Sequence, residues 1–416
     1  MARLLDVYLF EKIVGELKQD NDGQMLFIYS SSWLSDPNAI PLSCSLPLQK
    51  GAFKRKECRP FFSGILPEAD QRKLIARNLG ISANNDFSML ERIGGECAGA
   101  ITFMPTGSPL PKSENHYHWL LEKDLANTLR ELPNRPLLAG DVGIRLSLAG
   151  VQDKIAVYVK DSKIAIPLNG APSTHILKPA LDTFEGIIFN EAFCLELGRK
   201  MNLLTVKADI KQVEDIDYLL IERYDRHESN DEDNPLSIQR LHQEDFCQAM
   251  GIVSENKYQN EGGPSLKQCF NLLREVSSLP VVDIGRLIDI VIFNVLIGNC
   301  DAHGKNFSLL YKKNGVQLAP FYDLVSTRYY KNLSLKMAMK LGGEYDAGRI
   351  SIKHFETLAE EISLSKSGIK KRVIELTAST VKELEQMDIR NTVELEIAQL
   401  IKKRCAHLLA SSSTSK

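Results

Sequence analysis

IGNCDAHGKNFSLLY, residues 297–311, follows the most apolar run of the chain and sets Asp301 five residues before Asn306, just ahead of a strand-like segment. Phosphoryl transfer needs such a pair. An acidic group accepts or orients the attacking hydroxyl, and an amide oxygen helps hold a Mg²⁺ that neutralises charge developing on the phosphates; protein kinases use the same offset in HRDxxxxN. Seventeen residues beyond Asn306, PFYDLVS supplies Asp323, placed to be a second magnesium ligand like the aspartate of DFG. Magnesium takes hard oxygen donors and usually only one or two from protein, a count that Asn306 and Asp323 satisfy. A lone D-x4-N is equally readable as a polar turn capping a helix, and Asp323 alone is an ordinary acid. The ordered set of apolar helix, D-x4-N, strand and acid favours the chemical reading. Within the stretch, His303 reads as a packed or capping histidine, and Lys305 as a candidate to approach the transferred phosphate.

Working outward, Leu287–Ile297 is interrupted by Asp289 and Asn294 and is too short for the roughly 20 residues that cross a bilayer. It reads as a buried core helix, and no membrane association is expected. The N-terminus carries Asp6 and Glu11 where a secretory signal needs uninterrupted apolar residues, so export is not expected. The eight cysteines are widely spaced without a CxxC pair, which fits reduced thiols in the cytoplasm rather than disulfides or zinc. His116 and His118 form the one close histidine pair and lack acidic or thiol neighbours, a poor metal site. Apolar residues at 44% and charged residues at 25% exclude wholesale disorder, and a net charge of −2 gives no general attraction for nucleic acid.

At 416 residues the chain is too long for one core. Residues 1–105 open with DVYLF, IVGELKQ and QMLFIYS, an antiparallel meander turning in part at Asn21-Asp22-Gly23, followed by helical patterns from Pro67-Glu68 through Leu79 and from Phe87 to Ile93. Residues 106–140 read as a linker, with Gly107, Ser108 and Pro109 near its start. Residues 141–238 are strand-rich around one amphipathic helix, Gly186–Met201, and end in an acidic insert, Glu228–Asn234, expected as a solvated loop. Residues 239–416 are mainly helical, with SSSTSK a frayed tail. The expected architecture is α+β and two-lobed, with a β-rich lobe before a helical lobe and a small α+β domain in front; a cleft at such a junction suits a nucleotide.

The strand-rich region also offers phosphate-binding groups. In RLSLAGVQDKIAVYV, Gly150 sits in a tight turn where backbone amides of Ala149, Gly150, Val151 and Gln152 could cradle phosphate oxygens, followed by Asp153 and Lys154; an ordinary hairpin turn is the rival. THILKP sets Lys178 at a strand end, either reaching the α- and β-phosphates or simply solvated, and Glu191 could pair with it. YLLIERYDR runs towards the helical region, so Glu222, Arg223 and Tyr224 are candidates for an adenine-binding hinge or for a plain edge strand.

SLAGVQDKIAV, HILKP, NEAF, IERYDR, RLHQEDFCQAMG, KYQNEGGPS, GNCDAHGKNFSLLY and PFYDLVS, in this order, resemble the HipA family, and PLSCSLPL, FFSGILPEADQRKLIARNLGI and IGGECAGAI resemble its N-terminal domain. The resemblance covers nearly the whole chain. It implies a protein-kinase-like fold, ATP on Lys178 and the LAGVQDK loop, Asp301 as catalytic base, and Asn306 and Asp323 on Mg²⁺. It further implies that Ser147 is autophosphorylated, although a turn serine is the alternative. A phosphoserine carries roughly −1.5 to −2 charge and would be repelled by ATP phosphates, ejecting the loop. Gln243 and Asp245 match a family motif near the active site, with substrate positioning or helix capping as their roles. By resemblance the protein is a serine/threonine kinase toxin. Its substrate would be a protein of translation such as an aminoacyl-tRNA synthetase, and its partner a separate HipB-like helix-turn-helix antitoxin through which any DNA contact is made. The competing readings are a kinase-fold nucleotidyl transferase, an inactive module holding a repressor, and a small-molecule kinase of the aminoglycoside phosphotransferase type.

Overall fold

A computed structural model describes residues 3–110, 117–180, 184–228 and 238–413. His116, residues 229–234 of the acidic insert and the last three residues of the tail lie outside the described residues. The fold divides into two compact units, one of Met1–Pro179, Lys211–Glu255 and Leu309–Lys313, the other of Ala180–Ile210, Asn256–Ser308 and Asn314–Lys416.

The first unit is β-rich. Strands β1 (Arg3–Leu9), β2 (Lys12–Gln19), β3 (Met25–Tyr29), β4 (Ala52–Phe53) and β5 (Ile101–Pro105) form a sheet in the order β4-β3-β2-β1-β5. The meander read in the sequence is present: β1 and β2 pair antiparallel, as do β2 and β3, and Gly23 takes the positive φ that the intervening turn requires. Helices Arg55–Gly64, Ala69–Leu79 and Asp86–Ile93 accompany this sheet. The first of these was not legible as a helix, because its Arg55-Lys56-Glu57 start and internal Pro60 mask the pattern.

A second sheet contains β6 (Tyr117–Trp119), β7 (Ile155–Lys160), β8 (Lys163–Pro167), β9 (His175–Pro179), β10 (Ala208–Val213) and β11 (Ile216–Glu222), ordered β10-β11-β9-β7-β8-β6. Within the stretch read as a linker lie β6 and the helix Glu122–Glu131, whose Leu125, Ala126 and Leu129 are buried. Phe27, Phe62, Phe103, Ile155, Val157 and Leu177 are among the side chains of one continuous core in this unit. Each large apolar side chain so enclosed contributes about 1.5–3 kcal/mol.

One acid lies inside that unit. Glu244 accepts hydrogen bonds from the Cys44 amide at 2.9 Å, the Tyr311 hydroxyl at 2.5 Å and the Ser43 hydroxyl. Burial pushes its carboxyl up to about 7, against the lowering effect of these donors. Neighbouring His242 is lowered by burial to about 4. The signs oppose. Glu244 holds a proton in the folded chain that the unfolded chain releases between about pH 4.5 and 7, so its contribution to stability is complete below that window and is lost as pH rises through it. His242 contributes in the other direction, since the unfolded chain binds the proton that the folded chain refuses. Glu244→Gln is therefore expected to gain on the wild type as pH rises from 5 to 7, by at most about 1.4 kcal/mol per pH unit. Denaturation midpoints of the two proteins across that range test this, and a constant difference would contradict it.

The second unit is mainly helical: Ile187–Lys200, Leu266–Val276, Pro280–Ile297, Ile352–Glu361, Lys366–Gln386 and Thr392–Ser413. Pro280–Ile297 is the core helix expected from its apolar run, with Leu287, Ile290, Phe293, Leu296 and Ile297 buried. Pro280 begins it, where a missing N–H costs nothing, and Gly298 ends it with φ 72, a left-handed conformation that glycine adopts without a Cβ penalty. Among the described residues no helix is long and apolar enough to cross a membrane.

Candidate active site

The chain leaves the core helix at Gly298 into a loop held by short-range and long-range bonds. The Asn299 amide donates to Asn294 O at 2.8 Å, and its side chain donates to Asn294 Oδ1 at 3.0 Å. Cys300 N donates to Thr327 Oγ1 at 2.7 Å, and Ala338 N donates to Cys300 O at 2.8 Å. Asp301 emerges exposed from this anchorage, its own N–H on Asn299 Oδ1 at 3.0 Å. Its carboxylate Oδ1 accepts a hydrogen bond from the Tyr258 hydroxyl at 2.7 Å. His303 and Lys305 are buried beside it in sequence, so neither is a solvated loop residue.

Asn306 and Asp323 meet. Asn306 Nδ2 donates to Asp323 Oδ2 at 2.8 Å, while Asn306 Oδ1 accepts from His303 N at 3.0 Å. The amide thus turns its NH2 group to the Asp323 carboxylate and its oxygen to the backbone of the loop. An amide oxygen and a carboxylate are both hard donors of the kind that Mg²⁺ takes. Among the described residues no group of three or more His, Cys, Asp or Glu side chains could hold a metal ion.

Asp323 also carries φ 58. A non-glycine residue in that region costs of order 1–3 kcal/mol and persists only where its surroundings hold it, a pattern typical of functional sites. Here the surroundings do so. Phe321 N donates to Leu204 O at 2.7 Å and Val206 N to Phe321 O at 2.9 Å. The Tyr322 hydroxyl donates to Lys305 O at 2.7 Å. Beyond the acid, the buried side chain of Asn190 accepts from Ser326 N at 2.8 Å and donates to Ser326 O at 3.1 Å. The NEAF motif thus includes a clamp on the Asp323 segment, a role its sequence did not disclose.

The remaining candidates, Glu191 apart, belong to the first unit. Gly150 has φ 109, and a Cβ there would lie 2.5 Å from Lys154 Nζ, so this turn requires glycine. Lys154 Nζ donates to Ala149 O at 2.8 Å. Val151 is exposed. Gln152 Nε2 is a buried amide without a hydrogen-bond partner, a donor available to an acceptor that enters the loop. Asp153 is buried, accepts from Gln71 and has its carboxyl raised by burial. Ser147 is fully buried, its hydroxyl donating to Ile65 O at 3.0 Å and its amide to Glu96 O at 2.9 Å. The loop is therefore docked on the N-terminal helices, a connection that Gln71 and Glu68 N, which donates to Gly150 O at 3.2 Å, extend.

Lys178 lies in β9 opposite Leu219 and is only 6% exposed, which removes the reading of a solvated strand-end lysine. Glu191, on the helix Ile187–Lys200 of the second unit, is fully buried. At the expected hinge, Glu222 closes β11 opposite His175. The Arg223 amide donates to Thr174 O at 3.0 Å, and its guanidinium is enclosed by Asp225 and Glu96 at 2.8 and 3.1 Å. Tyr224 donates its hydroxyl to Gln243 Oε1. Asp245 caps the short helix Phe246–Ala249, accepting from Gln248 N at 2.9 Å, so capping is the observed role.

Comparison with known proteins gives a consistent picture. A family model described as HipA-like C-terminal domain matches residues 146–385, and one described as HipA N-terminal domain matches residues 5–104. A putative kinase of Sinorhizobium fredii, Y4mE, is 42% identical over 95% of this chain and 94% of its own length. A serine/threonine-protein kinase toxin HipA of Shewanella oneidensis is 29% identical over 83% of this chain and 80% of its own. The structure of a Shewanella oneidensis HipA, HipB and operator DNA complex contains a chain that superposes with a TM-score of 0.84 at 25% identity, covering 98% of this chain and 97% of that one.

Proposed function

This chain belongs to the HipA family and has its kinase-like fold, and from that premise we propose that it is a Mg-ATP-dependent serine/threonine protein kinase acting as the toxin of a toxin–antitoxin pair. The observation that carries the reading is the 2.8 Å contact between Asn306 and Asp323, five and twenty-two residues beyond an exposed Asp301. Asp301 is the catalytic base, accepting the proton of the attacking hydroxyl. Asn306 and Asp323 hold Mg²⁺, which when bound neutralises charge on the phosphates. Ala149, Gly150, Val151, Gln152, Asp153 and Lys154 form the phosphate loop, with the orphaned Gln152 amide among its donors. Lys178 and Lys305 supply cations to the nucleotide, His303 lines its site, and Glu222, Arg223 and Tyr224 face its base through backbone groups. Gln243 positions substrate through its contact with Tyr224.

The hydroxyl acceptor is a protein of translation, with an aminoacyl-tRNA synthetase as the first candidate, and the partner is a HipB-like antitoxin that carries the DNA contact. The HipA–HipB–DNA assembly of the Shewanella oneidensis relative supports that partner. Incubation with ATP labelled separately on its α- and γ-phosphorus tests the reaction. Transfer of γ label to protein is expected; transfer of α label would make the chain a nucleotidyl transferase, and transfer of neither would end the enzymatic reading.

Ser147 is the autophosphorylation site in this proposal. Its hydroxyl is buried against Ile65 O, and a phosphate of roughly −1.5 to −2 charge has no place there. Phosphorylation therefore requires the loop to leave its docked position and then prevents its return. Ser147→Ala is expected to remove one phosphopeptide from the self-labelled protein, and an unchanged phosphopeptide map would discard the role.

A further inference from the structure

KYQNEGGPS, residues 257–265, has no part in the chemistry assigned so far, yet it delivers a hydroxyl to the base. We propose that Tyr258 is a positioning residue for phosphoryl transfer, holding the Asp301 carboxylate through Oδ1 so that the other oxygen is directed at the acceptor hydroxyl. The inference rests on the assignment of Asp301 as base.

The geometry is specific. The Tyr258 hydroxyl donates to Asp301 Oδ1 at 2.7 Å, and its ring meets His303 edge-on with centroids 5.4 Å apart at 77°. Lys257 Nζ lies 5.6 Å from the centre of the same ring. The turn behind Tyr258 is closed by Glu261 N and Gly263 N, both donating to Tyr258 O, at 2.9 and 2.8 Å. Gly262 has φ 99, and a Cβ on Gly263 would lie 2.5 Å from Asn256 O, so the two glycines of the motif are what let the turn close. Both sides of the contact are pinned to one strand, Lys336–Leu341: Lys340 N donates to Gln259 Oε1 at 2.9 Å, and Ala338 N donates to Cys300 O at 2.8 Å. Tyr258 and Asp301 are thus registered against a shared support.

A base displaced from the attacking hydroxyl loses rate steeply. A donor on one carboxylate oxygen selects one orientation. It also favours the ionised form, which is the form that accepts a proton.

The test uses the full-length chain with Mg²⁺ and γ-labelled ATP, following label on the protein and released as phosphate. Tyr258→Phe keeps the ring against His303 and removes the hydroxyl. It is expected to lower kcat by about 10–100-fold, the range for losing a hydrogen bond to a charged group, with KM for ATP within about twofold. The acid limb of the rate profile should move to higher pH, since the carboxylate loses a stabilising donor. The double variant Tyr258→Phe/Asp301→Asn should be no slower than Asp301→Asn alone. A wild-type kcat and pH profile in Tyr258→Phe overturns the proposal, as does a gain in rate, which would make the hydroxyl a block, or a change confined to KM. If Asp301→Asn itself keeps wild-type activity, the assignment of the base fails instead.

Discussion

Asp301→Asn is expected to slow phosphoryl transfer by about 10²–10⁴-fold, roughly 3–5 kcal/mol of barrier, with the fold intact. The separation of activity from stability follows from the position of the side chain. Asp301 is exposed, and its anchoring bond to Asn299 is made by backbone N–H, which the substitution keeps. An asparagine oxygen can still accept from the Tyr258 hydroxyl, so the contact at 2.7 Å survives while the basic group is lost. The loop between Gly298 and Asn306 is held by Asn294, Thr327 and Ala338, none of which touches the altered group in these bonds. Initial rates of γ-label transfer, measured beside a denaturation midpoint, decide the matter. An undiminished rate at unchanged stability would remove Asp301 from the chemistry.

The largest effect on stability is expected at Glu96. This fully buried carboxylate meets Arg223 at 3.1 Å, Arg226 at 2.9 Å and Arg240 at 2.7 Å, and accepts from Ser173 Oγ at 2.9 Å. Burial alone would raise its carboxyl, but Arg226, Arg240 and Arg223 outweigh burial and hold it below the usual carboxylate range. Asp225 completes the network, accepting from Arg223 and from Gly99 N at 2.7 Å. Removing one partner from such a cluster strands buried guanidinium groups without compensation, which costs about 3–5 kcal/mol. Glu96→Ala should therefore lower the unfolding free energy by that amount, whereas Glu214→Ala, at an exposed pair with Arg130, should change it by less than about 1 kcal/mol. Equal, small effects in urea denaturation would show that the buried cluster contributes no more than a surface pair.

This cluster also refines the reading of IERYDR. The motif was legible as a strand end, and β11 does run through Glu222, but the two arginines were not legible as internal ions. Arg223 and Arg226 find Glu96 more than 120 residues earlier in the chain, in the IGGECAGAI segment of the N-terminal domain. Two motifs noted separately are halves of one structure. The same holds for PLSCSLPL and RLHQED, joined through Ser43, Cys44 and Glu244, and for the Gly150 loop and the start of the helix Ala69–Leu79, joined through Glu68 and Gly150.

Local order, then, was written in the sequence. The meander and the core helix before Gly298 were readable because periodicity and turn glycines act over a few residues, where the chain leaves little choice. Tertiary structure alone decided that Ser147 is buried under Ile65, that Asn190 clamps the segment after Asp323, that Asp323 adopts a left-handed backbone, and that Tyr258 reaches Asp301 across forty-three residues. Those outcomes depend on which distant segments pack together, and no local spacing encodes the partner of a hydrogen bond that closes a loop of that length.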